Sequence, residues 1–142
     1  MKLGAKDFES LLGKTDAAVV VIDQPGLIRF INLQAQQLFG YQGDELVGQP
    51  VDTLVPPPFR RVHQAHRAEF MAHPQTRFMG PTQELPGRQE LSGRRRDGSQ
   101  FPVDIVLGYI DTEDGPLVIA TVNDITDRQN ARAEMTRLQE SQ

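Results

Sequence analysis

The chain has 142 residues, a formal net charge of −4, a pI near 5.3, and neither cysteine nor tryptophan. This length corresponds to one domain with a single core. The missing cysteines exclude a disulfide framework, a thiolate metal site and thiol chemistry, and the acidic balance argues against a general nucleic-acid binder.

No apolar run reaches membrane-spanning length, and the N-terminus lacks the apolar segment of a signal peptide. We therefore predict a cytoplasmic domain without direct membrane contact.

Residues 1–14 place Phe8, Leu11 and Leu12 at helical spacing, which predicts a short N-terminal flanking helix. The β-branched run from Ala17 to Ile22 predicts the first strand.

A second strand is predicted from Leu27 to Ile31, because Gln24-Pro25-Gly26 before it suits a type II turn. Asn32 is a good N-cap for a helix from Leu33 to Phe39, with Gly40 as its left-handed end. Glycines and prolines then divide residues 41–58 into short pieces. Five apolar residues are expected to hold these pieces to the core: Leu46, Val47, Val51, Leu54 and Val55.

After three consecutive prolines, the segment from Phe59 to Ala72 is predicted to be the longest helix. At 100° per residue, its apolar face also carries all three histidines of the chain. The residues on this face are Phe59, Val62, His63, His66, Phe70 and His73. Histidines in this position are the least expected feature of the sequence and mark a candidate site.

A tandem repeat follows, in which Gln83–Arg88 and Gln89–Arg94 match at five of six positions. Arg94 to Leu107 then predicts two strands joined by a two-residue turn at Asp97-Gly98. A last strand from Leu117 to Ile125 precedes a capping box that opens a polar C-terminal helix. Ala131, Met135 and Leu138 form a short apolar seam on that helix.

This order of elements predicts an antiparallel α+β domain with helices on one sheet face. Several short motifs, taken together and in this order, resemble the PAS sensory domains of bacteria. They are Ala18–Asp23, Gly26–Asn32, Leu38–Tyr41, Asp44–Gly48, Leu54–Pro56, Gly93–Gly98, Phe101–Val103 and Asn123–Arg128. The resemblance implies a PAS fold with a five-stranded antiparallel sheet and with flanking N- and C-terminal helices.

By the same resemblance, residues 15–126 are the PAS sensory domain and 127–142 a signalling helix. The module would bind a small ligand, or relay a signal through a homodimer, to a separate effector such as a histidine kinase, diguanylate cyclase or chemoreceptor. Asp124 and Thr126 match the family's junction between sensor and output helix, so we predict that they couple the two. Thr126 can also serve simply as a helix cap.

The ligand remains open at this point. The absence of cysteine excludes the photochemistry of LOV domains and of photoactive yellow protein, and the absence of tryptophan disfavours flavin. Oxygen-sensing haem PAS domains place an axial histidine after a proline-rich stretch, where this chain has His63, and a distal arginine where it has Arg88. Two departures argue against haem: the repeat shifts the register around Arg88, and Glu69 replaces an arginine of that subfamily.

The candidate cofactor-binding residues are therefore His63, His66, Phe59, Phe70 and Arg88. Alternatively, the histidines cap carbonyls and line a partly polar pocket, which then holds a small apolar ligand. A row of histidines on one helix face is a poor match to a tetrahedral metal site, so no metal is predicted. No catalytic motif is recognisable, and a ligand-free dimerisation module is the remaining alternative.

Overall fold

The computed structural model describes residues 17–72, 77–79, 91–113 and 115–140. The predicted helix of residues 1–14 and the first copy of the repeat lie outside these ranges. The strands are β1 (Ala18–Asp23), β2 (Ile28–Ile31), β3 (Arg77–Met79), β4 (Leu91–Arg94), β5 (Gln100–Thr112) and β6 (Gly115–Asp124). The helices are α1 (Leu33–Phe39), α2 (Arg60–Ala72) and α3 (Thr126–Glu140), with 3-10 turns at Val51–Leu54 and Pro57–Phe59.

All strand pairs of the sheet are antiparallel, in the order β2-β1-β6-β5. Two short strands share the far edge of β5: β4 pairs with its first residues, Gln100–Val103, and β3 with Ile105–Leu107. The sheet is therefore five strands wide, which confirms the predicted five-stranded antiparallel α+β fold.

The core lies between one face of this sheet and the segment that contains α1 and the first 3-10 turn. Alternate residues of β1, Val20 and Ile22, pack there against Phe39 of α1 and Leu54 of the turn. Val47 was predicted to belong to this core but is 42% exposed. The local turn directs the neighbouring Leu46 inward instead, so Val47 faces solvent.

The turn between β4 and β5 contains three residues, not the predicted two. The amide of Arg95 donates to the carbonyl of Ser99, and the amide of Gly98 donates back to the carbonyl of Arg95. Gly98 has φ +89°, and among the described residues positive φ values are confined to glycine. Asp97 therefore keeps an ordinary conformation and accepts hydrogen bonds from Ser99 through its side chain. The turn between β1 and β2 has the same two backbone hydrogen bonds: the amide of Asp23 donates to the carbonyl of Leu27, and the amide of Gly26 donates to the carbonyl of Asp23.

Helix α1 has the predicted bounds, with Asn32 as its cap and Gly40 in the left-handed conformation. Helix α2 starts at Arg60, one residue later than predicted, because the prolines form a 3-10 turn through Phe59. It has 13 residues and α3 has 15, so the prediction that it is the longest helix is wrong. Within the described parts of the chain, we find no helix long and apolar enough to cross a membrane.

Candidate functional site

A cavity of about 180 Å³ lies between the core face of the sheet and the two 3-10 turns. Strands β1, β5 and β6 contribute every second residue to its wall, as the alternation of side chains along a strand requires. The lining consists of Val20, Ile22, Phe39, Val51, Leu54, Val55, Phe59, His63, Leu91, Ser92, Gly93, Val103, Ile105, Leu107, Ala120 and Val122. Fourteen of these sixteen residues are apolar or glycine; His63 and Ser92 are the polar ones.

His63 is held by a carboxylate that the sequence did not single out. Its Nδ1 lies 2.8 Å from Oδ1 of Asp52, which belongs to the first 3-10 turn. The other carboxylate oxygen accepts from Gln64 at 3.2 Å and from Arg67 at 3.3 Å. Because these three partners all lie on α2, Asp52 fixes that helix against the wall of the cavity.

The surroundings of Asp52 keep it ionised. Burial by itself raises the pKa of this carboxyl, but the hydrogen bonds from His63 and Gln64 and the charge of Arg67 outweigh burial, so the pKa lies below its ordinary value of 3.8. An ionised carboxylate only accepts hydrogen bonds, so Nδ1 of His63 carries the proton. In the neutral imidazole, Nε2 then holds a free lone pair.

Arg67 also fastens α2 to the turn between β1 and β2. Its guanidinium group lies so close to Gly26 that a Cβ on this glycine would be 2.6 Å from the guanidinium carbon. A side chain at position 26 would therefore displace Arg67, in addition to being strained at φ +97°. The hairpin, the 3-10 turn and α2 thus meet at one charged cluster beside the cavity.

Two of the predicted site residues, His63 and Phe59, line the cavity. Phe59 is 51% exposed and lies at its mouth. Phe70 is 2% exposed and is not among the lining residues. The side chain of His66 and the whole of Arg88 lie outside the described residues. No three His, Asp or Glu side chains cluster to hold a metal within the described part of the chain.

The predicted junction residues lie where β6 meets α3, and Asp124 is two residues beyond Val122 of the cavity wall. Oδ1 of Asp124 accepts from the amide and the hydroxyl of Thr126, at 2.9 and 2.5 Å. Its Oδ2 lies 3.6 Å from Arg95. The guanidinium of Arg95 stacks 4.1 Å over the ring of Phe101, which packs 5.4 Å from Phe39 in the cavity wall. A contiguous series of contacts therefore joins the cavity to α3.

Sequence reasoning missed Asp52, Ser92 and Arg95. Asp52 is the single acidic residue of a mostly apolar segment, eleven positions before His63, and no local pattern relates the two. Ser92 lies in the repeat, and the residues around it do not form a pattern that predicts a strand beside a cavity. Arg95 stands between Arg94 and Arg96, and consecutive charged residues beside a turn are usually solvated.

Comparison with known proteins places the chain in a family. A family model described as "PAS domain" matches residues 16–127. The sensor protein FixL of Bradyrhizobium diazoefficiens is 31% identical over 130 residues, which cover 92% of this chain and 25% of that protein. The oxygen sensor protein DosP of Escherichia coli is 28% identical over 118 residues, which cover 83% of this chain and 14% of that protein.

Among solved structures, the PAS domain of an HTR-like protein from Haloarcula marismortui superposes with a TM-score of 0.66 at 21% identity. The match covers 85% of this chain and 91% of that one. At this identity the likeness shows the fold. The chain spans a quarter or less of FixL and DosP, so the remaining parts of those proteins have no counterpart in it.

Proposed function

The chain belongs to the PAS domain family, and on that premise we propose that it is a sensory module that binds a small apolar molecule beside His63. The single observation that carries this proposal is the cavity of about 180 Å³ with its apolar wall. An apolar cavity of about 150 Å³ is enough to hold benzene. A domain whose core served dimerisation alone would have side chains filling this space.

We infer that binding is relayed to a separate effector through α3. Phe39 touches both the cavity and Phe101, and Arg95 connects Phe101 to Asp124 at the start of the helix. A ligand that shifts Phe39 would move Phe101 and Arg95, and would so change the contact between Arg95 and the carboxylate of Asp124. A histidine kinase, a diguanylate cyclase or a chemoreceptor is the kind of effector that such a helix would drive.

We further propose that α3 pairs with the same helix of a second copy. Met135 and Leu138 are 63% and 53% exposed and lie three positions apart, so they form an apolar seam on one side of the helix. Shortening the chain to end at Asp127 removes this seam. Sedimentation equilibrium should then show a dimer for the full chain and a monomer for the short one; an unchanged dimer would remove α3 from the interface.

Toluene tests the cavity directly. We expect toluene to raise the melting temperature of the full chain and to shift the NMR signals of cavity methyl groups. Ala120→Leu should abolish both responses, because Ala120 lines the cavity and is 7% exposed. Val106→Leu is the matched control, since Val106 is 36% exposed and does not line the cavity. No response in the full chain, or the same response in Ala120→Leu, would contradict the proposal.

Haem sensing is the second candidate, and the observation in its favour is the hydrogen bond between His63 and Asp52. Metal-binding histidines commonly donate a hydrogen bond from their other ring N–H to a carboxylate, which orients the ring and raises its basicity. His63 thus fits an axial ligand, and haem bound there would supply reversible binding of a gas at iron. The cavity does not fit the macrocycle, which is several times larger than benzene, unless its walls move apart.

An absorption spectrum with added hemin separates the two candidates. Under our first proposal, hemin adds only the broad absorption of the free compound, and the His63→Ala variant gives the same spectrum. A sharp haem band in the full chain that is lost in His63→Ala would make haem sensing the function. Arg61→Ala is a suitable control, because Arg61 is an exposed residue of the same helix.

A further inference from the structure

We propose that the cavity selects a neutral molecule that combines an apolar body of about benzene size with one hydrogen-bond donor, of which phenol is the simplest example. This inference rests on the ligand-binding function proposed above and specifies the chemistry of the ligand. It follows from the two polar side chains of the wall, His63 and Ser92, and from what holds the first of them.

The contact between His63 and Asp52 decides which hydrogen bond the histidine offers to a ligand. The 2.8 Å contact places the proton on Nδ1, since the carboxylate can only accept. Gln64 and Arg67 occupy the second oxygen of the carboxylate, so Asp52 is held in place from two sides. In the neutral imidazole, Nε2 is therefore the acceptor that this cavity-lining residue offers, and a ligand that bonds to it must donate.

The position of His63 also orients the ligand. The side chain of His63 is 31% exposed and Phe59 beside it is 51% exposed, so both lie at the mouth. Deeper walls come from residues such as Val103 and Ala120, which are 2% and 7% exposed. The apolar body of the ligand thus packs inside, and its donor group remains at the mouth against Nε2.

Other ligand classes fit this wall less well. An anion such as benzoate meets the lone pair of Nε2 and the negative charge of Asp52 next to it, while the guanidinium group of Arg67 is occupied by both oxygens of that carboxylate. A hydrocarbon such as toluene can fill the apolar space but leaves the lone pair of Nε2 without a donor from the ligand, which forfeits one hydrogen bond. Ser92 can donate or accept and so distinguishes neither class.

Four probes of similar size test the selection: phenol, anisole, toluene and benzoate, each titrated into the full chain and followed by NMR. Anisole is the matched control for phenol, because its methylated oxygen can no longer donate. We expect phenol to bind roughly threefold to tenfold more tightly than anisole or toluene, as one net hydrogen bond provides. In His63→Leu the preference for phenol over anisole should disappear while toluene still binds.

A second variant tests the tautomer without removing the ring. Asp52→Asn can donate its amide hydrogen to Nδ1, which moves the histidine proton to Nε2 and turns the acceptor into a donor. The preference should then weaken or shift toward anisole. Equal binding of phenol, anisole and toluene to the full chain, or tighter binding of benzoate, would overturn this inference and leave ligand binding intact. Failure of all four probes to bind would overturn the proposed function itself.

Discussion

Helices α1 and α3 both begin at a side-chain cap, yet they are fastened to different parts of the molecule. Asn32, at the start of α1, is 2% exposed and accepts at Oδ1 from Ala35 in its own helix at 3.0 Å. The same oxygen accepts from Val19 of β1 at 2.9 Å, and the side-chain amide donates to Ala17 at 2.8 Å. The cap of α1 is thus also a cross-link to the central part of the sheet.

The start of α3 is capped at the surface. The side chain of Asp124 is 31% exposed, and its partners are the nearby Thr126 and the partly exposed Arg95. Breaking these contacts frees a helix whose remaining surface is largely exposed, whereas breaking those of Asn32 opens the core. Similar capping chemistry therefore produces a rigid anchor in one place and an adjustable joint in the other. Asp52 holds α2, and its side chain is 14% exposed, so its burial is intermediate between those of Asn32 and Asp124.

The largest effect is expected at the rigid anchor. Asn32→Ala leaves the buried amides of Val19 and Ala35 without this acceptor, so we expect a loss of about 2–4 kcal/mol in the free energy of unfolding. Urea denaturation measures the loss. Gln37→Ala is the matched control, because it removes an exposed amide side chain from the same helix. A loss below about 1 kcal/mol would show that the bonds to β1 contribute little.

The intermediate anchor should show a smaller effect that depends on pH. Since the pKa of Asp52 is lowered in the folded state, its stabilising contribution is complete above the unfolded pKa of about 3.8 and is lost as the pH falls through the folded value. Asp52→Asn should therefore cost about 1 kcal/mol at pH 7. The difference from the unmodified chain should narrow as the pH falls below about 3.8 and close once the pH is below the folded pKa of Asp52.

Thermal unfolding of both proteins at several pH values measures this difference. Asp44→Asn serves as the control, because it removes an exposed carboxylate between α1 and the first 3-10 turn. A difference that persists unchanged at pH 3 would mean that the charge of Asp52 does not stabilise the fold.

The smallest effect on global stability is expected at the adjustable joint. Asp124→Ala should cost less than about 1 kcal/mol, since its bonds are exposed or close to the surface. Amide hydrogen exchange in the first turn of α3 should nevertheless become clearly faster. Asp127→Ala is the control for loss of charge at this helix end. A global loss as large as that of Asn32→Ala would abolish the distinction between the two anchors.

Much of the fold could be predicted from the sequence, because the signals involved are local. The cap at Asn32 and the left-handed end at Gly40 gave the bounds of α1, and the alternation of apolar side chains after Gly98 indicated β5. Asn32 as a helix cap alone is worth about 1 kcal/mol. Its bonds to Val19 of β1 and to Ala17 just before that strand join residues 13 and 15 positions apart, and no local pattern reveals them.

Only the part of the candidate site that depends on local spacing could be predicted from the sequence. Helical spacing placed His63 and Phe59 on an apolar face, and both line the cavity. The partner that decides the chemistry of His63 could not be found, because Asp52 reaches it only after the chain has turned at three prolines. The two-residue turn at Asp97-Gly98 was wrong because dipeptide preference does not determine how many residues close a hairpin.

The pairing of β4 has a further consequence for the tandem repeat. The second copy provides β4, and the first copy differs from it only in having Pro86 where β4 has Ser92. A slip of six residues is even, so it would keep every side chain on its own face of the sheet. The repeat thus offers β5 two nearly identical partner sequences, and the short turn from Arg95 to Ser99 favours pairing with the nearer copy, since it closes the smaller loop.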